Sequence, residues 1–481
     1  MTVTKTTLRT LAYVCAGAGI FLFGSLSSQA GEAAGNQVPK TDVDEASLVA
    51  LGRTLFNDKT LSDPPGLGCV SCHSPETGFS YPLSYVNSYF GTVPGAVKGR
   101  FGDRKPPSLA YAPYLPTGLP HFDPTLNAFV GGLFWDGRVP DAIAQAKAPF
   151  LNPNEMNNRV HGLGSPASVI SKIKSGPTGA EFRRVYGDGV FTLPTNQVYD
   201  LMARAIVAYE ASPEVSPFTS KYDAYLEGKV KFNDEELMGM RFVTGTMNGR
   251  PGGFPFKKSA HCMDCHALSN DLIKERDVWT NSCYANLGVP KNPLNMYYGM
   301  TDVRSNPHGA NRFGKEYVDL GLGGFLYPYL GLLPGDFAHD DPLRINGTFK
   351  APSLRNVDKR PYPGFVKAYM HNGVFKSLKD VVHFYNSRNL TTVPGEVIDF
   401  TKPDPYAGLK GKPLWQKPEY CDPNTLINPT GMGGGVGSRG VQTAPVVDLD
   451  AMQIGNLLLT EEHERAIVAF LKTLTDGYFK R

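Results

Sequence analysis

Two copies of one short cysteine motif constrain this sequence more than any other feature. The first copy reads Cys69-Val70-Ser71-Cys72-His73, and the second reads Cys262-Met263-Asp264-Cys265-His266. Both have the Cys-x-x-Cys-His spacing of c-type haem attachment. Two thiols one helical turn apart can each bond a vinyl carbon of the haem, and the adjacent histidine then coordinates the iron. The sequence therefore predicts two covalently bound c-type haems, with His73 and His266 as the proximal ligands.

A zinc site is the alternative interpretation of four cysteines and two histidines. The two motifs lie far apart in the chain, and a histidine directly after a cysteine does not match the spacings of zinc fingers, so haem is favoured. Besides Cys15, which lies in the first thirty residues, Cys283 and Cys421 remain outside the motifs. They are either two free thiols or a disulfide, and an exported protein favours the disulfide.

The first thirty residues have the pattern of an export signal. Lys5 and Arg9 precede an apolar stretch from Leu11 to Leu26, and Ser28-Gln29-Ala30 then provides a small-x-small cleavage site. A membrane anchor is the alternative, but this stretch is shorter than the ~20 apolar residues that a spanning helix needs. We expect a signal peptide over residues 1–30, cleavage near Ala30 and a periplasmic mature protein without a stable membrane span.

The composition narrows the class of protein further. An apolar share of 41% with 19% charged residues is typical of a soluble globular protein. The formal net charge is only +3 and the chain has no basic tract, so nucleic acid is not an expected partner. The 52 glycines and 39 prolines favour long irregular connections between short helices.

Helical patterns surround each haem motif. Apolar spacing predicts helices over Asp44–Phe56 and Asn196–Tyr209 around the first motif. A boundary follows at Ser212–Pro217, and a capping-box-like start at Asn233 opens a helix through Phe242 ahead of the second motif. An amphipathic helix after Thr460 closes the chain.

This repeated order resembles two class I cytochrome c domains in tandem. We therefore expect a mainly α fold with long loops, one of them a surface loop over residues 424–446. The expected units are an N-terminal haem c domain over residues 31–215 and a C-terminal haem c domain over residues 216–481.

Further motifs resemble those of the bacterial dihaem cytochrome c peroxidase and MauG family, from about residue 45 to the C-terminus. The resemblance rests on Phe134-Trp135-Asp136-Gly137-Arg138, followed by Gln145, Pro149 and Asn152-Pro153-Asn154-Glu155-Met156. It rests also on Asn286-Leu287-Gly288-Val289-Pro290, Ala351-Pro352-Ser353-Leu354-Arg355-Asn356 and Tyr369-Met370-His371-Asn372-Gly373.

The resemblance implies that H₂O₂ reacts at the N-terminal haem, whose iron keeps an open position opposite His73. Heterolytic cleavage needs a group that moves a proton from one peroxide oxygen to the other, and the family assigns this role to the position of Glu155. Gln145 would hydrogen-bond in the same pocket, and Pro149 would limit access to the iron. Met156 is expected to pack without coordinating. Without the resemblance, Glu155 would be interpreted as a solvated loop residue.

Two residues of the Phe-Trp-Asp-Gly-Arg motif have implied roles between the haems. Trp135 corresponds to the family's tryptophan that lies between the two haems and mediates electron transfer. A core packing role is the alternative for a large aromatic residue. Arg138 is expected to neutralise a haem propionate or a nearby carboxylate.

The distal ligand of the C-terminal haem separates the branches of the family. The count starts from the histidine of the Tyr369-Met370-His371-Asn372-Gly373 motif. Ordinary peroxidases place a methionine fourteen residues beyond that histidine, whereas MauG-type enzymes place a tyrosine there. In this sequence the residue fourteen beyond His371 is Tyr385. Tyr385 shares a predicted helix face with Leu378, Val381 and Val382. Met370 and His383 are the alternative ligands.

Two departures from the family pattern bear on the active state. Typical dihaem peroxidases carry a blocking histidine in the segment that corresponds to Val86–Lys105, which contains no histidine here. The resemblance then implies that the peroxide site is open already in the oxidised enzyme. Calcium is uncertain, because Tyr111 replaces an asparagine ligand. The family's Thr-x-Pro segment reads Lys359-Arg360-Pro361 and is followed by an extra stretch, Pro363–Lys367.

Together these features predict a periplasmic, MauG-like dihaem peroxidase that uses H₂O₂ to reach a high-valent dihaem state. It would oxidise a small redox protein, such as a cytochrome c or a cupredoxin, or a specific protein substrate. The alternatives are an ordinary cytochrome c peroxidase that detoxifies H₂O₂, a dihaem electron carrier, and an oxygenase that binds O₂ at the open haem.

Overall fold

The computed structural model describes residues 42–480, except 127, 250–252, 257, 268–275, 327–344, 400–404 and 421–453. The predicted signal peptide, Cys421 and the predicted loop over residues 424–446 lie outside the described residues. The described residues all belong to one compact unit. Below, residues 42–215 are called the N-terminal half and residues 216–480 the C-terminal half; a domain division between them stays a prediction.

Helices dominate the regular structure of the described residues. Their bounds are α1 (Glu45–Asn57), α2 (Ser84–Tyr89), α3 (Ala142–Leu151), α4 (Pro166–Ser175), α5 (Gly179–Tyr186), α6 (Thr195–Ala211), α7 (Lys221–Leu226), α8 (Asp234–Thr244), α9 (Leu322–Leu326), α10 (Leu378–Ser387) and α11 (Glu461–Lys472). None of them is long and apolar enough to cross a membrane.

Strands are few and short within the described ranges. They form three two-stranded antiparallel pairs: β1 (His121–Asp123) with β2 (Ala128–Val130), β3 (Arg159–Val160) with β4 (Leu163–Gly164), and β5 (Tyr284–Ala285) with β6 (Phe349–Lys350). In the last pair Tyr284 lies opposite Lys350. The expectation of a mainly helical fold is confirmed.

A close crossing of two long helices is repeated in the two halves. Helix α1 packs against α6 in the N-terminal half, and α8 packs against α11 in the C-terminal half. Gly52 and Gly239 lie at the crossings, where a Cβ would collide with the backbone carbonyl oxygens of Ala205 and Ala466, respectively. The same close approach of two helix backbones therefore frames each Cys-x-x-Cys-His motif.

Polar caps explain where these helices begin. The Asp44 carboxylate accepts a hydrogen bond from the Ser47 backbone N–H at the start of α1. A reciprocal capping box between Asn233 and Glu236 begins α8, and the Thr460 hydroxyl caps α11. The predicted helices that begin near Asp44, Asn233 and Thr460 are thus confirmed within a residue or two.

A second unit of local structure is also repeated. An antiparallel bridge between Leu133 and Val139 precedes α3, and a bridge between Tyr369 and Phe375 precedes α10. The two helices have the same length of 10 residues and are capped by Asp141 and Ser377. Pro149 and Tyr385 are then each the eighth residue after their cap, so the two halves present them at corresponding positions.

Candidate functional site

Both motif histidines lie two residues beyond a short 3₁₀ turn, Cys69–Ser71 or Cys262–Asp264, and are oriented by backbone carbonyls. The His73 Nδ1 lies 3.0 Å from the Phe79 carbonyl oxygen, and the His266 Nδ1 lies 3.3 Å from that of Trp279. Burial lowers the pKa of each imidazole to about 4. Each imidazole is therefore neutral at pH 7, and an Nδ1–H donated to the carbonyl leaves Nε2 available for a metal.

The residues around the first motif form one cavity, called here the N-terminal pocket. It is lined by the motif residues Cys69, Cys72 and His73 and also by Gln145, Pro149, Glu155, Met156 and Trp135. The sequence-predicted catalytic residues therefore lie together in one cavity with His73. Among the described lining residues, His73 is the only histidine.

The turn after α3 brings Glu155 into this pocket. The backbone N–H of Glu155 donates to the Asn152 carbonyl, and the Asn152 side-chain amide donates to the Glu155 Oε1 at 2.9 Å. Burial raises the pKa of Glu155 to about 7, partly opposed by the nearby Arg138. A carboxyl group with a pKa near 7 can both take up and release a proton at neutral pH.

Helix α3 supplies one polar side chain, Gln145, and one apolar side chain, Pro149, to the lining of the N-terminal pocket. Gln145 lies on its middle turn and Pro149 near its end, where the Pro149 carbonyl accepts the backbone N–H of Met156. Met156 is 5% exposed and belongs to the hydrophobic core of the N-terminal half. The expected packing role of Met156 agrees with this position.

Trp135 lies between the two motif-bearing cavities, since it lines both. Its indole Nε1 donates to the Lys105 carbonyl at 2.8 Å, and its own carbonyl accepts the backbone N–H of Lys350. Burial lowers the pKa of Lys105 to about 8 and that of Lys350 to about 7. One hydrogen bond therefore holds the ring of Trp135 and another holds its backbone.

Arg138 contacts a local carboxylate. Its Nη1 lies 2.9 Å from both carboxylate oxygens of Asp136, and its guanidinium lies over the Phe134 ring. Asp136 also pairs with the buried Arg104, which in turn binds Asp319 through two hydrogen bonds. This charge network forms part of the N-terminal pocket through Arg104 and Arg138.

The second cavity, the C-terminal pocket, surrounds Cys262, Cys265 and His266. The face of α10 formed by Leu378, Val381, Val382 and Tyr385 lines it, as the helical spacing predicts. Burial raises the pKa of Tyr385 well above its ordinary value.

The two alternative ligands differ in position. Met370 lines the C-terminal pocket, but His383 does not. The His383 Nδ1 lies 2.9 Å from Glu464, and its side chain is 48% exposed. The positions therefore favour Tyr385 or Met370 over His383.

Both pockets fit a c-type haem. Each places the two thiols and the neutral, oriented imidazole of its Cys-x-x-Cys-His motif on a cavity with extensive apolar lining. This is the donor set that covalent haem attachment needs.

Cys283 has a neighbour that the sequence did not suggest. Its buried thiol lies near that of Cys265, and this neighbour together with burial raises the pKa of the Cys283 thiol well above its ordinary value. Its predicted disulfide partner, Cys421, lies outside the described residues.

Sequence reasoning missed Glu210 on α6. Its side chain is 2% exposed and lines the N-terminal pocket, and burial raises its pKa to about 8. Lys105 and Lys350 were missed in the same way. Lys105 lies in an irregular segment and Lys350 lies in a strand of two residues, and in neither place does the spacing of apolar residues predict burial.

Comparisons with known proteins agree with this site. Residues 46–231 match the family model described as di-haem cytochrome c peroxidase. The methylamine utilization protein MauG of Paracoccus denitrificans is 32% identical over 455 residues, which covers 93% of each chain. The cytochrome-c peroxidase IdrP2 of Denitromonas iodatirespirans is 26% identical over 400 residues, covering 80% of this chain and 85% of the relative.

A solved structure gives the same result at the level of the fold. The diheme peroxidase BthA from Burkholderia thailandensis superposes with a TM-score of 0.61 at 27% sequence identity. The match covers 91% of this chain and 90% of that protein.

Proposed function

This chain belongs to the bacterial dihaem cytochrome c peroxidase and MauG family and is a dihaem peroxidase, and we propose that it works in the MauG manner. In this proposal the protein reacts with H₂O₂ in its oxidised form and withdraws electrons from a protein partner. The observation that carries the proposal is Tyr385, which lines the C-terminal pocket together with His266.

Tyr385 supports the MauG branch because of its donor chemistry. A phenolate is a hard anionic ligand that favours ferric or more oxidised iron over ferrous iron, whereas a methionine thioether favours ferrous iron. A haem with this ligand is therefore suited to storing oxidising equivalents from peroxide, and it is harder to reduce to the ferrous state before peroxide reacts. An enzyme that needs no prior reduction follows from such a ligand.

The N-terminal pocket supports peroxide chemistry at the other haem. A bound haem would supply an iron that binds peroxide and gives up the two electrons that cleavage of the O–O bond requires. Since His73 is the only histidine among the described lining residues, no second imidazole from those residues competes with peroxide. A plain electron carrier would instead need a ligand on each side of both irons.

Glu155 is proposed as the group that moves the proton. Its carboxylate takes the proton from one oxygen of H₂O₂ and delivers it to the other, which then leaves as water. The Asn152 amide, 2.9 Å from Oε1, fixes the orientation of the carboxylate. Gln145 would hold the peroxide by a hydrogen bond, and Pro149 would limit the room beside it.

Trp135 is proposed to carry electrons between the pockets. It lines both of them, and its ring is held by the hydrogen bond from Nε1 to Lys105. We further propose that the protein is exported, with residues 1–30 removed, and that its electron donor is a small redox protein or a specific protein substrate.

Two parallel assays distinguish this proposal from the ordinary peroxidase. In the first, the fully oxidised protein is titrated with H₂O₂ alone; in the second, steady-state turnover is measured with a reduced small cytochrome. We expect a stoichiometric spectral change in the first assay without any added reductant. A reaction that begins only after one haem has been reduced would establish the ordinary peroxidase, and no peroxide reaction in either assay would favour the electron carrier.

A further inference from the structure

A buried lysine joins the two halves of the molecule at a point that peroxide chemistry does not use. Lys367 is 6% exposed. Its Nζ donates to the backbone carbonyls of Thr77 at 2.8 Å, Asn356 at 2.9 Å and Lys359 at 3.4 Å. Thr77 belongs to the N-terminal half, and the other two belong to the C-terminal half. Three acceptors match the three N–H groups of an ammonium.

Three carbonyl oxygens that accept from one nitrogen need three N–H groups, which the lysine ammonium has and a neutral amine has not. Burial lowers the pKa of Lys367 well below its ordinary value, and the nearby Lys105 acts in the same direction. A buried charge is costly unless its hydrogen bonds are made. The three carbonyls make them, so the cluster and the cation stabilise each other.

One of the three carbonyls, that of Lys359, belongs to the segment in which the family resemblance suggests calcium. Lys359 opens the Lys359-Arg360-Pro361 segment, and Lys367 ends the extra stretch that follows it. Backbone carbonyls are also calcium ligands, but calcium takes six to eight oxygen ligands and usually several carboxylates. Here the Lys367 ammonium lies at the carbonyls instead.

The surrounding residues do not fit a calcium ion. The Tyr111 hydroxyl, at the position of the family's asparagine, donates to the Asp476 carboxylate at 2.6 Å and accepts from the Phe218 backbone N–H. Nowhere in the part of the chain that the structure describes do three or more His, Cys, Asp or Glu side chains come together as a metal site.

The junction lies beside the turn that orients the first proximal histidine. The Thr77 hydroxyl donates to the Ser80 carbonyl at 2.6 Å, within the same turn whose Phe79 carbonyl contacts His73. A Cβ on the neighbouring Gly78 would lie 2.6 Å from the Asn356 Cβ, so the turn is pressed directly against the C-terminal half. A displacement of the two halves at this junction would therefore move the turn that orients His73.

We propose that the Lys367 ammonium is a built-in cation that gathers these three carbonyls, joins the two halves and holds the His73 turn in place without calcium. The inserted stretch Pro363–Lys367 supplies this cation from the chain itself. This proposal holds equally for a MauG-like enzyme and for an ordinary cytochrome c peroxidase.

The first test uses the native holoprotein and does not depend on any variant. Elemental analysis should find iron for two haems and no stoichiometric calcium. Treatment with EDTA, followed by added calcium, should leave the thermal midpoint and the electron paramagnetic resonance line of the ferric N-terminal haem unchanged. One calcium per chain, or a midpoint that EDTA lowers and calcium restores, would overturn the proposal.

The second test compares two methionine variants of the holoprotein. Lys367→Met removes the charge and the Nζ hydrogen bonds to all three carbonyls, so the thermal midpoint should fall by about 5 °C. The Thr77 carbonyl then keeps only the Ser80 hydroxyl as a donor, and the Asn356 carbonyl keeps only the Lys359 backbone N–H. The line of the N-terminal haem should shift as well. Lys379→Met, at an exposed position of α10, is the matched control and should change neither. Identical behaviour of the two variants would contradict the proposal, and if Lys367→Met does not fold, the chelation test on the native protein decides.

Discussion

The N-terminal and C-terminal pockets share a helix crossing, a motif turn and a capped helix, yet corresponding positions carry different side chains. Pro149 on α3 and Tyr385 on α10 are each the eighth residue after the helix cap and line their pockets. Proline has no group that can bind iron, whereas a phenol has one. In the proposed function, this one helix position leaves the N-terminal haem site open and closes the C-terminal one.

The polarity of the two pockets differs in the same direction. Asp103, Arg104, Arg138, Glu155 and Glu210 all line the N-terminal pocket. The C-terminal pocket is lined mainly by aliphatic and aromatic side chains. Charged groups can move and stabilise protons, and an apolar shell limits access of water to a metal. This difference supports the proposal that proton transfer takes place in the N-terminal pocket and that the C-terminal haem stores oxidising equivalents.

Loss of a proximal histidine is the largest expected effect and the most direct way to separate the pockets. His73→Gly should abolish the reaction with peroxide while the spectrum of the C-terminal haem stays native. His266→Gly should instead disturb only the C-terminal haem. Electron paramagnetic resonance of each variant checks both results, and a variant in which both haem signals collapse would show that the pockets are not independent.

Replacing the proposed proton carrier should have the next largest effect. Glu155→Gln keeps the size and hydrogen bonding of the side chain but removes the base, so oxidation by peroxide should slow by ~10²–10⁴-fold. Stopped-flow spectroscopy measures this rate. Glu210→Gln is the matched control, since it alters another buried carboxyl of the same pocket, and its rate should stay within a few-fold of native. A native rate in Glu155→Gln would make Glu155 a bystander.

The pH dependence of the same reaction tests the protonation state of Glu155. Burial raises its pKa to about 7, and the base form is the one that accepts a proton from H₂O₂. The rate should therefore rise as the pH increases through about 7 and level off above it. Glu155→Gln should lack this rise, and a rise of equal size in the variant would assign the titration to another group.

Replacing the proposed distal ligand should have a smaller effect on rate and a clear effect on potential. Tyr385→Met should raise the reduction potential of the C-terminal haem by on the order of 0.1–0.3 V, within the ~0.8 V range that axial ligands span. The variant should then react with peroxide more readily after prior reduction. Potentiometric titration measures the shift, and an unchanged potential would transfer the ligand role to Met370.

The sequence predicted the features that depend on local spacing. The two haem motifs, the helix starts near Asp44, Asn233 and Thr460, and the inward face of α10 all follow from short-range patterns, and the structure has them. The gathering of Gln145, Pro149 and Glu155 around His73 was expected only from the family resemblance, because an irregular turn with no periodicity brings Glu155 back to the end of α3.

The long-range contacts could not be predicted from the sequence, and the reason is physical. Lys367 and Thr77 are separated by 290 positions in the chain, and neither lies in a pattern that predicts burial. A lysine is exposed in most proteins, so only the folded backbone reveals that three carbonyls surround this one. Glu210 is a similar case, because its helix position alone does not show that the cavity lies beside it.

The central claim is that the oxidised protein has one open and one closed haem, with tyrosine closing the second. Electron paramagnetic resonance of the native, fully ferric holoprotein, combined with near-infrared absorption of the same sample, tests it directly. We expect one high-spin and one low-spin ferric haem, without the near-infrared band of sulfur-to-iron charge transfer that methionine ligation produces. Two low-spin signals, or a methionine-type band, would contradict this account.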